Sequence, residues 1–524
     1  MSNDHPKPAA PVKDTPWFLG IDLGTGSCKS VVVDERANVL GFAGSPYQGD
    51  GVQERWQEQN PEELVVAVVA SVRKAVAEAG LAPETCAGLS VGGALHSVMA
   101  LDGRGNPLTG VITWADGRAV SQCIALRGSS RTGDLYRETG CPVHWMYPLY
   151  KIMWIRDRRP DVFRKTRHFV SAKEYVLCRL TGEFMADYSL AAGSGLLNTH
   201  TLRWSDLALD LAGIGEEKIS SLHSPADPVG RLSPDFAGRM GIPRNTLVAL
   251  GSSDAVNSSL GAGAVSPRRA TCMVGTSGAL RVISPRPVLD GKGRSWCYAI
   301  DREHWLVGGA INNGGVALSW LRDSLNRALV HLRPEQPWLS FEDVLRLAGE
   351  AKAGAGGLIC LPFFAGERSP HWNLNARAAF FGLTLKHDIR HLSRALLEGI
   401  AFRFKTLHEM LGEIGVEFAQ VIASGGFTRS DLWLQVVADA LNRDLVVPVW
   451  GETSSLGAAF WPMIAGGALD SIEAAGRYVQ LGKTCRPHKE NAALYDRMYP
   501  IFSRLYQALE GSFDEVAGLQ DEVR

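Results

Sequence analysis

A strand, a glycine turn and a second strand occur once in each half of this chain, and few folds call for that unit twice. The first copy runs through residues 17–22, a turn at 24–27 and a β-rich run at 28–33. The second runs through 270–274, 275–278 and 279–284. Short β-branched and aromatic runs bounded by glycine and Asp/Asn clusters read as strands joined by tight turns. A turn at 34–38 and a third run at 39–43 extend the first copy into an antiparallel meander. A helix should follow: Asn60 can cap it, Pro61 suits its first position, Glu62 and Glu63 suit its dipole, and Gly80 can stop it. Residues 86–91 then read as a buried strand running into Gly92 and Gly93. In the second half, helices are expected near 315–326 and 390–414, then a strand at 420–423 and a helix from Ser430. The pattern predicts a duplicated α/β domain with its boundary near residue 255.

Composition narrows the class of partner. Lys plus Arg total 54 and Asp plus Glu total 55, a formal charge of −1 over 524 residues. That balance lacks the basic face of a nucleic-acid binder, so a small-molecule partner is expected. The longest apolar run, 64–70, is far short of a membrane span. Nine scattered cysteines, with no Cys-x-x-Cys, read as reduced thiols of a cytoplasmic protein and exclude a disulfide framework or zinc site. Residues 1–16, proline-rich and without an apolar core, read as a disordered tail.

The run Asp22-Leu23-Gly24-Thr25-Gly26-Ser27-Cys28-Lys29 ends a buried strand on an acid and follows it with a hydroxyl-bearing glycine turn. Amides of such a turn can cradle phosphate oxygens. A carboxylate beside phosphates needs a cation between them, so Asp22 points to Mg²⁺. A hairpin turn with an ordinary Asp cap is the competing reading. The Rossmann fingerprint fails here, since Lys29 stands where it requires glycine. Leu250-Gly-Ser-Ser-Asp254 ends another apolar strand on an acid that could serve as general base, or could simply cap the next helix. Gly275-Thr276-Ser277-Gly278 and Ser424-Gly425-Gly426-Phe427 each follow a strand and could complete a phosphate site.

Taken in order over residues 17–505, these motifs resemble the FGGY carbohydrate kinases. The shared patterns are 22–29, 251–263, 275–278, 314–323 and 424–439. Residues 113–118, 144–151, 173–175, 187–198 and 361–373 resemble the gluconokinase branch in particular. The resemblance implies an α/β fold of two actin-like (ribonuclease H-like) domains with the active site in the cleft between them. Residues 17–255 would be the N-terminal sugar-binding domain, 256–510 the C-terminal nucleotide-binding domain, and 511–524 a C-terminal tail.

By the same resemblance Asp254 is the catalytic base, and Asp22 helps hold Mg²⁺–ATP. Gly24, Thr25, Gly26, Ser27 and Thr276 would face the phosphates, with Lys29, Gly315, Gly425, Gly426 and Ser430 also on the nucleotide. His96, Asp116, His144 and Met146 fall where the family contacts its sugar. Trp145 departs from the gluconokinase-like His-Pro-Met run, Ala255 follows the base where glycine is frequent, and Ala378 replaces a usual glycine. His96 and His144 could instead be core histidines, and Asp116 could brace a turn with Arg118. The expected activity is ATP-dependent phosphorylation of a sugar or sugar acid, D-gluconate to 6-phosphogluconate foremost. A kinase of a neutral ketopentose such as xylulose, and an actin- or chaperone-like ATPase without a sugar, are the alternatives. No nucleic-acid or membrane partner is expected, and assembly as a homodimer is left open.

Overall fold

The computed structural model describes residues 15–47, 57–333, 335 and 337–523. Most of the expected tail, residues 1–14, therefore lies outside the described residues. The chain divides into two compact units. One holds the residues up to Ser266 together with Ile283–Val307 and Trp450–Gln480; the other holds Pro267–Val282, Gly308–Val449 and Leu481–Arg524.

The first unit is built on a five-stranded sheet. Strands β1 (Trp17–Leu23), β2 (Ser27–Asp34) and β3 (Val39–Pro46) form the antiparallel meander, and β4 (Cys86–Gly93) and β5 (Leu247–Ala249) run parallel to β1. The order across the sheet is β5-β4-β1-β2-β3. Every residue of β1 is buried, as expected of a strand covered on both faces. Helix α1 (Pro61–Ala79) packs against β2 and β3. Its ends follow the sequence signals. Asn60 accepts from the amide of Glu62, Pro61 opens the helix, and Gly80 closes it with φ +62°. A second helix, Thr453–Ala465, lies against β1. A Cβ on Gly20 would stand 2.0 Å from the carbonyl oxygen of Ser455, so only glycine permits this approach. The core joins Trp17, Leu19, Ile21, Val68, Val72 and Leu89.

The second unit repeats the plan. Strands β6 (Arg269–Val274) and β7 (Gly278–Ser284) are antiparallel, while β9 (Gln420–Ser424) and β10 (Asp444–Pro448) run parallel to β6 and to each other respectively. With β8 (Trp305–Ile311) beside β7, the order is β8-β7-β6-β9-β10 within a seven-stranded sheet. Read from the opposite edge, this is the strand order of the first unit. The duplicated α/β architecture expected from the two glycine turns is what the chain adopts. Residues 511–522 continue the long helix Lys489–Glu522.

Candidate active site

In the first unit the candidate chemistry gathers where the parallel strands β1, β4 and β5 end. Asp22 is the penultimate residue of β1, and the next residues turn back through Gly24, whose amide donates to the Ser27 carbonyl at 3.1 Å. The apex, Thr25 and Gly26, is exposed. Beyond β5, Ser253 caps a short helix by accepting from the Val256 amide, and Asp254 is that helix's first residue. Asp254 is thus not the cap. Its Oδ1 accepts from the amides of Ala255 at 2.8 Å and Leu95 at 3.3 Å, tying it to the chain just past β4.

Asp22 is buried, and its Oδ1 has no hydrogen-bond partner among the described residues. Burial pushes its carboxyl up to about 7; Asp254 adds to the rise, Lys29 opposes it and Glu452 adds again. A buried carboxylate with an unsatisfied oxygen and two acidic neighbours is short of positive charge. A divalent cation would supply it, and Mg²⁺ characteristically takes one or two carboxylates and completes its shell with phosphate and water oxygens. No cluster of three or more acidic, His or Cys side chains placed to hold a metal occurs among the described residues. Lys29, expected at the nucleotide, forms an ion pair with Glu452 at 2.6 Å. Glu452 was not anticipated; it lies 423 residues from Lys29 and carries no local motif.

Cys28 is inert. It is fully buried, and burial pushes its thiol up to about 12. All nine cysteines are unpaired.

The expected sugar residues come together around one lysine. The Lys151 ammonium is completely buried and donates to the carbonyls of His96 (2.7 Å), Thr113 (2.7 Å) and Met146 (2.8 Å). An ammonium has three protons, so all are committed. One side chain therefore fastens the segments that carry His96, Asp116, His144 and Met146. His96 adopts φ +67° and its Nδ1 lies 2.6 Å from the Gly193 carbonyl oxygen. His144 takes the Met146 amide on Nδ1 and stacks on Trp145 with ring centroids 3.7 Å apart. Met146 is buried. Asp116 accepts from Arg118 Nε at 2.7 Å, Arg118 Nη2 at 2.8 Å, the Arg118 amide at 3.0 Å and the Gln57 amide at 2.6 Å. The brace with Arg118 is real. Trp114, two residues before Asp116, donates from Nε1 to Thr25 Oγ1 at 3.1 Å, so this segment touches the Gly24–Ser27 turn. Both border a small pocket with Leu23, Gly24, Gln59 and Leu95.

In the second unit the glycine turns pack against one another. The amide of Gly315 donates to the Gly275 carbonyl at 2.7 Å, and those of Gly314 and Val316 to the Thr276 carbonyl at 3.2 and 3.1 Å. A Cβ on Gly315 would meet Gly275 O at 2.8 Å, so the helix Gly315–Leu332 can start this close to the turn only with glycine. Thr276 itself is exposed. Gly425 ends β9 with φ +93°, and a Cβ there would lie 2.5 Å from Val274 O, at the end of β6. Gly426 is exposed, and Ser430 caps the helix Asp431–Leu441 by accepting from the Trp433 amide. Thr276, Gly315 and Gly425 are neighbours through these contacts; Ser430 is joined to them through the single turn Gly426–Arg429.

Similarities to known proteins agree with both halves. Residues 17–261 match the model of the N-terminal domain of the FGGY family of carbohydrate kinases, and 270–466 match its C-terminal domain. The chain is 35% identical to a gluconokinase of Bacillus licheniformis over 97% of its own length and 98% of the relative's. It is 28% identical to a xylulose kinase of Bacillus subtilis, covering 94% of this chain and 96% of that one. Its fold matches the crystal structure of a gluconate kinase from Lactobacillus acidophilus with a TM-score of 0.90 and 30% identity, over 96% of this chain and 100% of the other. The chain belongs to the FGGY family of carbohydrate kinases, ATP-dependent phosphotransferases with an alcohol group as acceptor.

Proposed function

We propose that the chain is a gluconokinase, transferring the γ-phosphoryl group of ATP to the 6-hydroxyl of D-gluconate. The observation that carries this choice of sugar is the higher identity to gluconokinase, 35% against 28% for xylulose kinase, each over more than nine-tenths of the chain.

In this reading Asp254 accepts the proton of the acceptor hydroxyl as that oxygen bonds to the γ-phosphorus and ADP departs. Its place supports the role: Oδ1 is held by two amides, so the carboxylate meets the substrate in a fixed orientation. Asp22 would hold Mg²⁺, which would supply positive charge beside the phosphoryl group. Gly24, Thr25, Gly26, Ser27 and Thr276 present turn amides and hydroxyls to the phosphates. Gly315, Gly425, Gly426 and Ser430 receive the rest of the nucleotide, while Lys29 acts with Glu452 to set the charge around Asp22. His96, Asp116, His144 and Met146 line the sugar. Nine unpaired thiols support a reducing compartment, the cytoplasm.

A neutral ketopentose is the second reading, and one observation favours it. Lys151 and Arg118 would be natural partners for the gluconate carboxylate, yet Lys151 spends its protons on three carbonyls and Arg118 is paired with Asp116 and Glu58. A coupled ADP-release assay across gluconate, xylulose, ribulose, glycerol and rhamnulose decides between them. The highest kcat/KM is expected with gluconate; a higher value with any neutral sugar rejects the gluconate assignment and leaves the kinase intact.

A further inference from the structure

The loop Gly251–Ser253, which delivers Asp254, is held at every residue from outside itself. The Gly251 carbonyl accepts from Lys173 Nζ at 2.6 Å. The Ser252 carbonyl accepts from the Gly93 amide at 3.3 Å and from Asn257 Nδ2 at 3.1 Å, and its Oγ accepts from Trp461 Nε1 at 2.9 Å. The Ser253 amide donates to Ser189 Oγ at 2.8 Å.

Two of these contacts lead to one buried ion pair. Lys173 Nζ lies 2.6 Å from Asp187 Oδ2, with side chains 1% and 0% exposed. The other carboxylate oxygen of Asp187 accepts from Ser189 Oγ at 2.5 Å and from the amides of Ser189 at 2.9 Å and Leu190 at 3.1 Å. Polarity is therefore determined along the chain of contacts. An ionised carboxylate can only accept, so the Ser189 hydroxyl must donate to Asp187, which turns its lone pair toward the Ser253 amide. Burying such a pair gives little net stability against apolar packing of the same volume. None of the three residues is among those expected to touch the nucleotide or the sugar. What they hold is the backbone one and three residues before Asp254, at Ser253 and Gly251.

We propose that Asp187 and Ser189, with Lys173 as counter-ion, are positioning residues for the general base: they set the backbone of Ser253, and through it the carboxylate of Asp254. This rests on Asp254 being the base. Displacing a reacting group by about 1 Å can cost on the order of 10²-fold in rate, so a loosened loop should appear in kcat. Ser189→Ala should spare substrate binding, because Lys151 still fastens the segments that carry the sugar residues and the glycine turns at the nucleotide still hold one another.

Three variants test it by steady-state kinetics on the full chain: Ser189→Ala, Asp187→Asn and Asp254→Asn. Ser189→Ala removes a single oxygen and keeps the packing, so it remains informative should Asp187→Asn fail to fold. The expected result for Ser189→Ala is a fall in kcat of roughly tenfold or more with KM for sugar and ATP within about twofold of the parent. Unchanged kcat in Ser189→Ala, alongside a collapse in Asp254→Asn, overturns the positioning role and leaves the base in place. Raised KM values that match the kcat loss, with a lowered melting temperature, also overturn it in favour of general loosening. Near-parental turnover in Asp254→Asn rejects the base itself, and the positioning role with it.

Discussion

Replacing Asp116 by alanine separates its two roles, because its carboxylate both braces Arg118 and stands among the expected sugar residues. Arg118 is 3% exposed and Asp116 is fully buried, and they meet through two side-chain hydrogen bonds of 2.7 and 2.8 Å. Removing one partner of a buried pair strands the other and costs about 3–5 kcal/mol. Glu58, 2.7 Å from Arg118 and 35% exposed, remains to receive part of the charge. A pair with one solvated member offsets about 1 kcal/mol, leaving an expected loss of about 2–4 kcal/mol. Glu58→Ala alone should cost less than about 1 kcal/mol. In Asp116→Ala/Arg118→Met the stranded charge is gone, so the double variant should be more stable than Asp116→Ala. The assay is urea unfolding followed by tryptophan fluorescence, to which Trp154 contributes with its ring 5.0 Å from the guanidinium. Sugar KM measured on the same proteins isolates the second role and should stay several-fold elevated in the double variant. A double variant less stable than Asp116→Ala refutes the buried-charge reasoning. Recovery of both stability and sugar KM would make Asp116 a brace alone.

Asp22→Ala should lower kcat and raise the Mg²⁺ concentration needed for half-maximal rate; an unchanged metal titration with full activity would remove Asp22 from the metal site. Gly425→Ala forces a side chain into a φ of +93° and against Val274 O, so KM for ATP should rise while sugar KM holds; unaltered ATP kinetics would place the nucleotide elsewhere. His304 sits 2.9 Å from Asp301 and 2.8 Å from Glu473; burial lowers its pKa, but the two carboxylates more than reverse this and raise it to about 9. A raised histidine stabilises the fold fully below its ordinary pKa near 6.5, and the gain is lost as pH climbs through 9. Between those values about 2 kcal/mol should disappear after allowing for the solvated Glu473, and His304→Gln should flatten that part of the pH–stability curve; an equally steep curve in the variant would contradict it.

Local chemistry is what the sequence made legible. The first helix could be bounded from Asn60, Pro61 and Gly80 because capping involves neighbours along the chain, and both glycine turns showed for the same reason. The FGGY resemblance supplied Asp22 and Asp254 with roles, where the residues alone left each balanced against a cap. Contacts across hundreds of residues had no such signal. Glu452 reaches Lys29 only because the helix Thr453–Ala465 returns to pack on β1, which needs Gly20 opposite Ser455. The burial of Lys151 had no signal either, because a sequence displays a charge but not the three carbonyls that absorb it. Lys173 and Asp187 lay within motifs quoted for resemblance, yet their pairing and its link to Ser253 exist only in three dimensions.

The central claim is sugar-dependent phosphoryl transfer with Asp254 as the base, and ADP release by the parent chain and Asp254→Asn, each with and without gluconate, tests it most directly. The parent should release ADP rapidly only when gluconate is present, and Asp254→Asn should lower kcat by about 10²–10⁴-fold with KM for ATP nearly unchanged. Rapid release by the parent without any sugar, or near-parental turnover by Asp254→Asn, would contradict it.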